Sequence, residues 1–267
     1  MLIDVAFLPQ LISPALTIDS VCIVIDVLRA TTTLTTLLAC GATSVIVAAG
    51  ASEARAAKHA DPGALLLGEI GGLRPDDFDL GNSPRDISTQ LVAGRRAICH
   101  TSNGTAAIRA VAESPIVMLG CLRNSAAVAR AAIAEATRGT YSITIVCSGG
   151  AGGRSFALDD SLAAGQIVAA LLAEADRAEL PIELTDAALA AQTLRQSAIE
   201  RADEPAYARW AEVLRNTSAG QHLTQIGLGE DIPFCAEVDR ETTVPLVRAV
   251  DGAVLVGATP PLAAIRA

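Results

Sequence analysis

Aromatic residues are only 3% of this 267-residue sequence, so its interior cannot rest on stacked rings and falls to Ala, Val, Leu and Ile. No apolar run approaches the roughly 18 residues of a membrane-spanning helix, and no membrane partner is expected. Positive charge is in deficit as well, with a formal net charge of −9 at pH 7. A broad acidic surface argues against a nucleic-acid partner, which needs a basic face. A small anionic ligand is still allowed, because a few cations or a metal ion can reverse the field inside a cleft. The six cysteines form no CxxC pair, and His59, His100 and His222 are too scattered for a zinc site. Buried thiols are therefore expected rather than disulfides or metal ligands. The opening MLIDVAFLPQ has no basic region ahead of its apolar stretch, so no signal peptide and a cytoplasmic location are expected. What the chain does have is 51% hydrophobic residues against 18% charged, enough for a substantial core and incompatible with disorder.

The first half repeats one pattern: a short apolar run, a polar or Gly-rich corner, then a helix-like segment. The runs are residues 21–26, 44–49, 64–68, 96–100, 116–120 and 142–147. Ser52 is placed as the cap of the helix after the second run. Continuous apolar strands alternating with helices indicate a layered αβα fold on a largely parallel or mixed sheet covered on both faces. From Thr185 the texture becomes helical, with Pro205 opening a further helix. The tail carries two apolar runs around Asp251–Gly252, a β-hairpin signal. No linker or low-complexity stretch separates these parts, so one α/β domain over 1–267 is expected, with a sub-boundary near 180–185 as the only candidate division.

Ligands of such sheets gather beyond the carboxyl ends of the strands. Four corners there carry unusual chemistry. In the first, Asp26 ends a strand, Arg29 follows three residues on, and Thr31, Thr32 and Thr33 open a helix. A carboxylate suits Mg²⁺, a guanidinium grips an anion in a fork, and a helix start adds backbone donors. Simple strand termination and capping would explain Asp26 or Thr31 singly, but not together with Arg29. The second corner, Thr101 to Thr105, offers Ser102, Asn103, Gly104 and Thr105 as an oxyanion cradle or as a capping turn. The third, Phe78 to Pro84, contains Asn82 and reads equally as a ligand loop or an Asx turn. The fourth runs from Ser148 to Asp160, with four glycines, Arg154 and the adjacent Asp159 and Asp160, which suit either a cation or an N-cap.

Several sharper motifs fail. No G-x-G-x-x-G falls in register, and no GK[ST] closes the glycine loop. Cys147 lacks the Arg six residues on that a cysteine phosphatase loop needs; Gly153 stands there and Arg154 is one too far. The Asp-x-Asp of haloacid-dehalogenase-type phosphatases is broken by Leu28.

Taken in order, IDVLRATTT, GEIGG, DFDLGNSP, TSNGT, SLAAG after Asp159-Asp160, and DIPFCAEVD resemble the 2-phosphosulfolactate phosphatase family of coenzyme M biosynthesis, from Asp26 to about Val244. Two positions depart from the family pattern: Ile70 stands where the family has an Arg, so that either one anion contact is missing or Arg74 replaces it, and Ser102 replaces a Thr and keeps a hydroxyl. The resemblance implies a family-specific α/β fold. It also implies a Mg²⁺-dependent hydrolase that converts (R)-2-phospho-3-sulfolactate to 3-sulfolactate and phosphate. Joined to the residue reading, this makes Asp26, Glu69, Asp159 and Asp160 the set from which the metal ligands are drawn, with Asp26 and Arg29 catalytic. Thr31, Thr32, Asn82, Ser102, Asn103, Gly104, Thr105 and Arg154 are the expected substrate contacts. The alternatives are a phosphatase of the same mechanism acting on another small phosphoacid, and a non-catalytic binder of anionic metabolites. The second of these would gain nothing from converging carboxylates. A homo-oligomer is left open.

Overall fold

The computed structural model describes residues 1–12, 17–199, 206–250 and 252–258. Its strands are β1 (Leu2–Ala6), β2 (Ser20–Ile25), β3 (Ser44–Val47), β4 (Leu65–Gly68), β5 (Arg96–His100), β6 (Ile116–Gly120), β7 (Ser142–Cys147), β8 (Glu183–Leu184), β9 (Pro245–Val250) and β10 (Ala253–Ala258). Between them lie α1 (Ala30–Ala39), α2 (Ala51–Ala60), the one-turn α3 (Thr89–Val92), α4 (Gly104–Ala110), α5 (Ser125–Gly139) and α6 (Leu158–Arg177). The helical section that follows contains α7 (Asp186–Ile199), α8 (Ala206–Arg215), α9 (Ser218–Gln225) and α10 (Asp231–Cys235). Pro205, the expected helix opener, and Asp251, at the hairpin tip, lie outside the described residues. Ser52 is not a cap: α2 starts one residue earlier, with Gly50 at the cap position and no side-chain bond there.

All ten strands join one mixed sheet in the order β4-β5-β3-β10-β9-β6-β2-β7-β1-β8. Two parallel blocks, β4-β5-β3 and β6-β2-β7-β1-β8, are bridged by the antiparallel hairpin β9–β10. The short runs are buried on both faces, and period 2 sends alternate side chains to different cores. In β2, Val21, Ile23 and Ile25 join the core shared with α5 and α6, whereas Cys22 and Val24 join the one under α1. In β5, Ala97 and Cys99 join the core under α1, and Ile98 packs with Ala54 of α2 and Phe78. Burial also accounts for the cysteines. Cys22, Cys99, Cys121, Cys147 and Cys235 are buried, Cys40 is half-buried, and all are free thiols. Burial pushes Cys147 well above the usual thiol range, which removes it as a nucleophile.

β2 and β4 stand six places apart in the sheet, which at about 4.8 Å per strand would be roughly 29 Å if the sheet were flat. Asp26 beyond β2 and Glu69 beyond β4 nevertheless line the same cavity. The sheet must therefore curl, as the right-handed strand twist of about 20–25° per step favours. The curl is what assembles the site.

Close helix contact fixes the other side. At Gly165 of α6 an added Cβ would lie 2.2 Å from the Ala191 carbonyl oxygen and 2.8 Å from Arg195 Cβ, so α6 and α7 meet there without room for a methyl. Gly165→Ala is expected to lower stability by about 1–2 kcal/mol in urea unfolding, the overpacking cost exceeding the helix-propensity gain. An unchanged or raised midpoint would mean that α7 slides freely.

Candidate active site

Asp26 is the first residue beyond β2 and is only 6% exposed. Its Oδ1 accepts the Ala30 N–H at 3.0 Å, and its carbonyl accepts both the N–H and the hydroxyl of Thr31. The Thr32 hydroxyl donates to the Val27 carbonyl. Thr31 and Thr32 are thus fully buried braces that hold Asp26 at the start of α1, and they do not line the cavity. Arg29, at the cap position of α1, lines the cavity but is also 97% buried. Its Nη1 donates to Asp231 Oδ2 at 2.7 Å and its Nη2 to the Gly72 carbonyl at 2.7 Å.

Glu69, beyond β4, organises the next two corners. Its Oε2 accepts the Gly72 N–H at 2.6 Å and the Ser102 hydroxyl at 3.1 Å, while Oε1 accepts the Ser102 N–H at 2.6 Å. Beyond β5, Thr101 and Thr105 cap one another reciprocally, so the Thr105 hydroxyl faces inward, and Ser102 and Asn103 reach the cavity. Gly104 permits the close approach of α4 to α1. A Cβ there would stand 2.7 Å from Asp26 Oδ2 and 2.5 Å from Ala30 Cβ. Asn103 Oδ1 accepts the Gly152 N–H at 2.8 Å and so ties this corner to the glycine loop.

Beyond β7, residues 148–157 form a glycine-rich loop that ends at the start of α6. Gly149, Gly152 and Gly153 all have φ between 68° and 78°, a left-handed conformation that costs other residues energy. Arg154 is exposed on this loop and does not line the cavity. Asp159 and Asp160 lie in the first turn of α6 rather than at its cap, which is Ala157. The Asp160 carboxylate accepts from the Val27 N–H, the Ser148 hydroxyl and the Gly149 N–H. It fastens β2 to β7 at the floor of the site. Asn82, on the loop leading to Ser83 and Pro84, is 5% exposed and lines the cavity, and its Oδ1 has no hydrogen-bond partner.

These corners enclose a cavity of about 420 Å³, large enough for a small phosphoacid. Its electrostatics are dominated by buried carboxylates. Burial, then the nearby Glu69 charge, pushes Asp26 up to about 6 against the bond from the Ala30 amide. Burial and then repulsion from Asp26 push Asp159 up to about 7, and burial with repulsion from Asp159 and Asp26 raises Asp160 well above the carboxylate range. A carboxyl group whose pKa is higher in the folded state holds more protons folded than unfolded, so stability falls as pH rises from about 4 through about 7. The metal-free protein is expected to lose thermal stability between pH 5 and pH 8, with a shallower loss in Asp159→Asn. Equal slopes in scanning calorimetry would contradict the electrostatic strain.

Several contributors were not singled out by sequence reasoning. Asp231 of α10 binds Arg29 and accepts the Ser83 hydroxyl at 2.6 Å. Ser148, Phe156, Ser218 and His222 line the cavity. DIPFC was visible as a motif, but nothing in its spacing pointed its aspartate toward Arg29, 202 residues away.

Residues 6–249 match the family model described as 2-phosphosulpholactate phosphatase. A relative from Deinococcus radiodurans, named a probable 2-phosphosulfolactate phosphatase, is 40% identical over 226 residues, covering 84% of this chain and 86% of its own length. Relatives with the same name from Thermus thermophilus and Pseudothermotoga lettingae are 37% and 36% identical. The former covers 88% of this chain and 91% of itself, the latter 92% and 95%. With most of the sheet and every corner of the cavity inside the matched span, the chain belongs to the 2-phosphosulpholactate phosphatase family of phosphoric monoester hydrolases.

Proposed function

We propose that this chain is a Mg²⁺-dependent cytoplasmic phosphatase that hydrolyses (R)-2-phospho-3-sulfolactate to 3-sulfolactate and phosphate, in coenzyme M biosynthesis. The observation that carries the reading is the cluster of Asp26, Asp159 and Asp160, buried where the starts of α1 and α6 meet and repelling one another. Unpaired carboxylates so arranged cost folding energy, and a hard cation offsets that cost. The donor set fits Mg²⁺. Both oxygens of Asp160 and of Glu69 already accept hydrogen bonds, so Asp26 and Asp159 have the most capacity to spare. No three acidic, His or Cys side chains among the described residues form a complete cage, and Mg²⁺ usually takes one or two carboxylates with waters and phosphate oxygens.

When bound, Mg²⁺ supplies charge neutralisation at the phosphoryl oxygens and a lowered pKa for water. The chain itself supplies position. The start of the 20-residue α6 lines the cavity where a phosphoryl group can lie, and the first turn of a helix leaves backbone N–H groups outside its own bonds. The Gly149, Gly150 and Gly152 N–H groups of the preceding loop are instead taken by Asp160, Ser155 and Asn103. Asp231 and the Gly72 carbonyl hold the Arg29 guanidinium in one orientation, with three of its five donors left for a substrate anion. Ile70 is half-exposed and outside the cavity lining, and Arg74 donates to the Asp79 carbonyl, so neither reaches the substrate.

The test is phosphate release from a panel of phosphoacids, with 2-phospho-3-sulfolactate beside phospholactate and phosphoglycolate. The highest kcat/KM is expected on the sulfonate-bearing substrate. A preference for a panel member without the sulfonate would move the chain to another phosphoacid, and no release from any would remove the phosphatase reading.

A further inference from the structure

Arg29 and Arg123 are the two buried cations among the described residues, and of these only Arg29 lines the cavity. Arg123 lies in the turn Leu122–Asn124 beyond β6, the strand that pairs with β2. Its Nη1 donates to the Phe234 carbonyl at 3.1 Å and to the Glu237 carboxylate, and its Nη2 donates to Glu241 Oε1 at 3.0 Å. The guanidinium also lies 3.8 Å from the centre of the Phe234 ring. The same turn is stitched to the chain beyond α10. The Asp239 and Glu241 N–H groups donate to the Leu122 and Arg123 carbonyls, the Ser125 hydroxyl donates to Asp239, and the Asn124 amide donates to the Thr243 carbonyl. Removing a guanidinium from water is costly and is offset only by good geometry, which three acceptors and a ring face supply here.

What this clamp holds is α10, whose five residues are far too few for a helix to be stable by itself. Its first residue, Asp231, binds Arg29 Nη1 at 2.7 Å and the Ser83 hydroxyl at 2.6 Å. Phe234 follows three residues later, about 4.5 Å along the axis at 1.5 Å per residue. A shift at the clamped end therefore reaches Asp231 nearly undiminished, and Asp231 passes it to Arg29.

We infer that Arg123 is a positioning residue for the reaction: its clamp on the Phe234 end of α10 fixes the place from which Asp231 orients the Arg29 guanidinium. The inference rests on the phosphatase reading above for the use made of Arg29, and deepens it. Arg123 does not line the cavity and acts only through α10. Lysine cannot replace it, because one ammonium cannot serve all three acceptors in a planar fork or lay a flat face on the Phe234 ring.

The experiment is a double-mutant cycle of Arg123→Lys with Arg29→Lys, read as kcat/KM on the best substrate of the phosphoacid panel. Arg123→Lys is expected to lower kcat/KM at least tenfold when Arg29 is present and by less than twofold when Arg29 is already Lys. Equal losses in both backgrounds, or no loss in either, would overturn the inference. A second readout needs no turnover. Cys235 is a buried free thiol in α10 and Cys147 one in β7, so iodoacetamide labelling followed by peptide mapping reports on each element separately. Cys235 is expected to label at least fivefold faster in Arg123→Lys, with Cys147 unchanged. No acceleration at Cys235, or equal acceleration at both thiols, would make Arg123 a support of the whole fold and overturn its role at α10. Glu241→Gln weakens one arm of the clamp and serves if Arg123→Lys does not fold. It is expected to give the same two patterns at about threefold, and their absence there would count equally against the inference. No phosphate release by the wild type would remove the phosphatase reading, while the labelling would still decide whether Arg123 holds α10.

Discussion

Asp26→Asn is expected to lower kcat by at least about 100-fold while leaving the melting temperature equal to or above that of the wild type. The first half follows from position, since Asp26 is the first residue beyond β2, bonded to the start of α1, under Gly104 and beside Asp159. Losing one preorganised charge at a reacting centre commonly costs about 10²–10³ in rate. The second half follows from strain. At neutral pH the wild type keeps a carboxylate ionised although burial has moved it up to about 6, next to Glu69 and Asp159. The asparagine amide still offers an oxygen to the Ala30 N–H and removes the repulsion. Function and stability are therefore expected to move in opposite directions, as at a site that stores electrostatic strain. Steady-state kinetics with calorimetry on the same preparation decides this. Near wild-type kcat in a folded variant would place the centre elsewhere in the cavity, and a large loss of melting temperature would make Asp26 a structural residue.

The second large effect is expected at Asp231. Its side chain and that of Arg29 are 3% and 2% exposed, and their ion pair at 2.7 Å links α10 to the α1 corner. Asp231→Ala leaves a buried guanidinium uncompensated and the Ser83 hydroxyl without its acceptor. Breaking a buried pair from one side costs about 3–5 kcal/mol, a large share of a typical total of 5–15 kcal/mol. Asp231→Asn, which keeps an acceptor for Nη1, is expected to cost less and to retain part of the turnover. A loss below about 1 kcal/mol for Asp231→Ala in denaturant titration would show that Arg29 finds another partner or reaches water.

The parallel strands were legible because each is a short, continuous run of branched apolar residues closed by a polar corner, and all six runs read from sequence appear within a residue or two. β1 and β8 were not read. LIDVA was weighed only as a leader, and the two-residue β8 has no pattern of its own, existing because it pairs with Leu2 and Ile3. The mixed character of the sheet also escaped local reading in its detail: the hairpin signal around Gly252 was present, but not its insertion between the two parallel blocks. In the site, the polar corners after β2 and β5 announced themselves in Asp26 and in Thr101 to Thr105, whereas Glu69 after β4 was singled out only through the family resemblance of GEIGG. The division of labour among them did not. Hydroxyls in a row suggest ligand contacts, yet Thr31 and Thr32 close hydrogen bonds on their own loop. A partner such as Asp231 comes from a helix whose approach depends on the whole tertiary structure.

The most direct test of the central claim is phosphate release from 2-phospho-3-sulfolactate by exhaustively metal-free protein as Mg²⁺ is added back. Turnover is expected to rise from background along a saturating curve. The same titration on Asp159→Asn is expected to need at least about tenfold more Mg²⁺ for half-activation, if that carboxylate holds the ion. Full turnover in the metal-free protein, unchanged by added Mg²⁺, would contradict the assignment of this carboxylate cluster to a metal-assisted phosphatase.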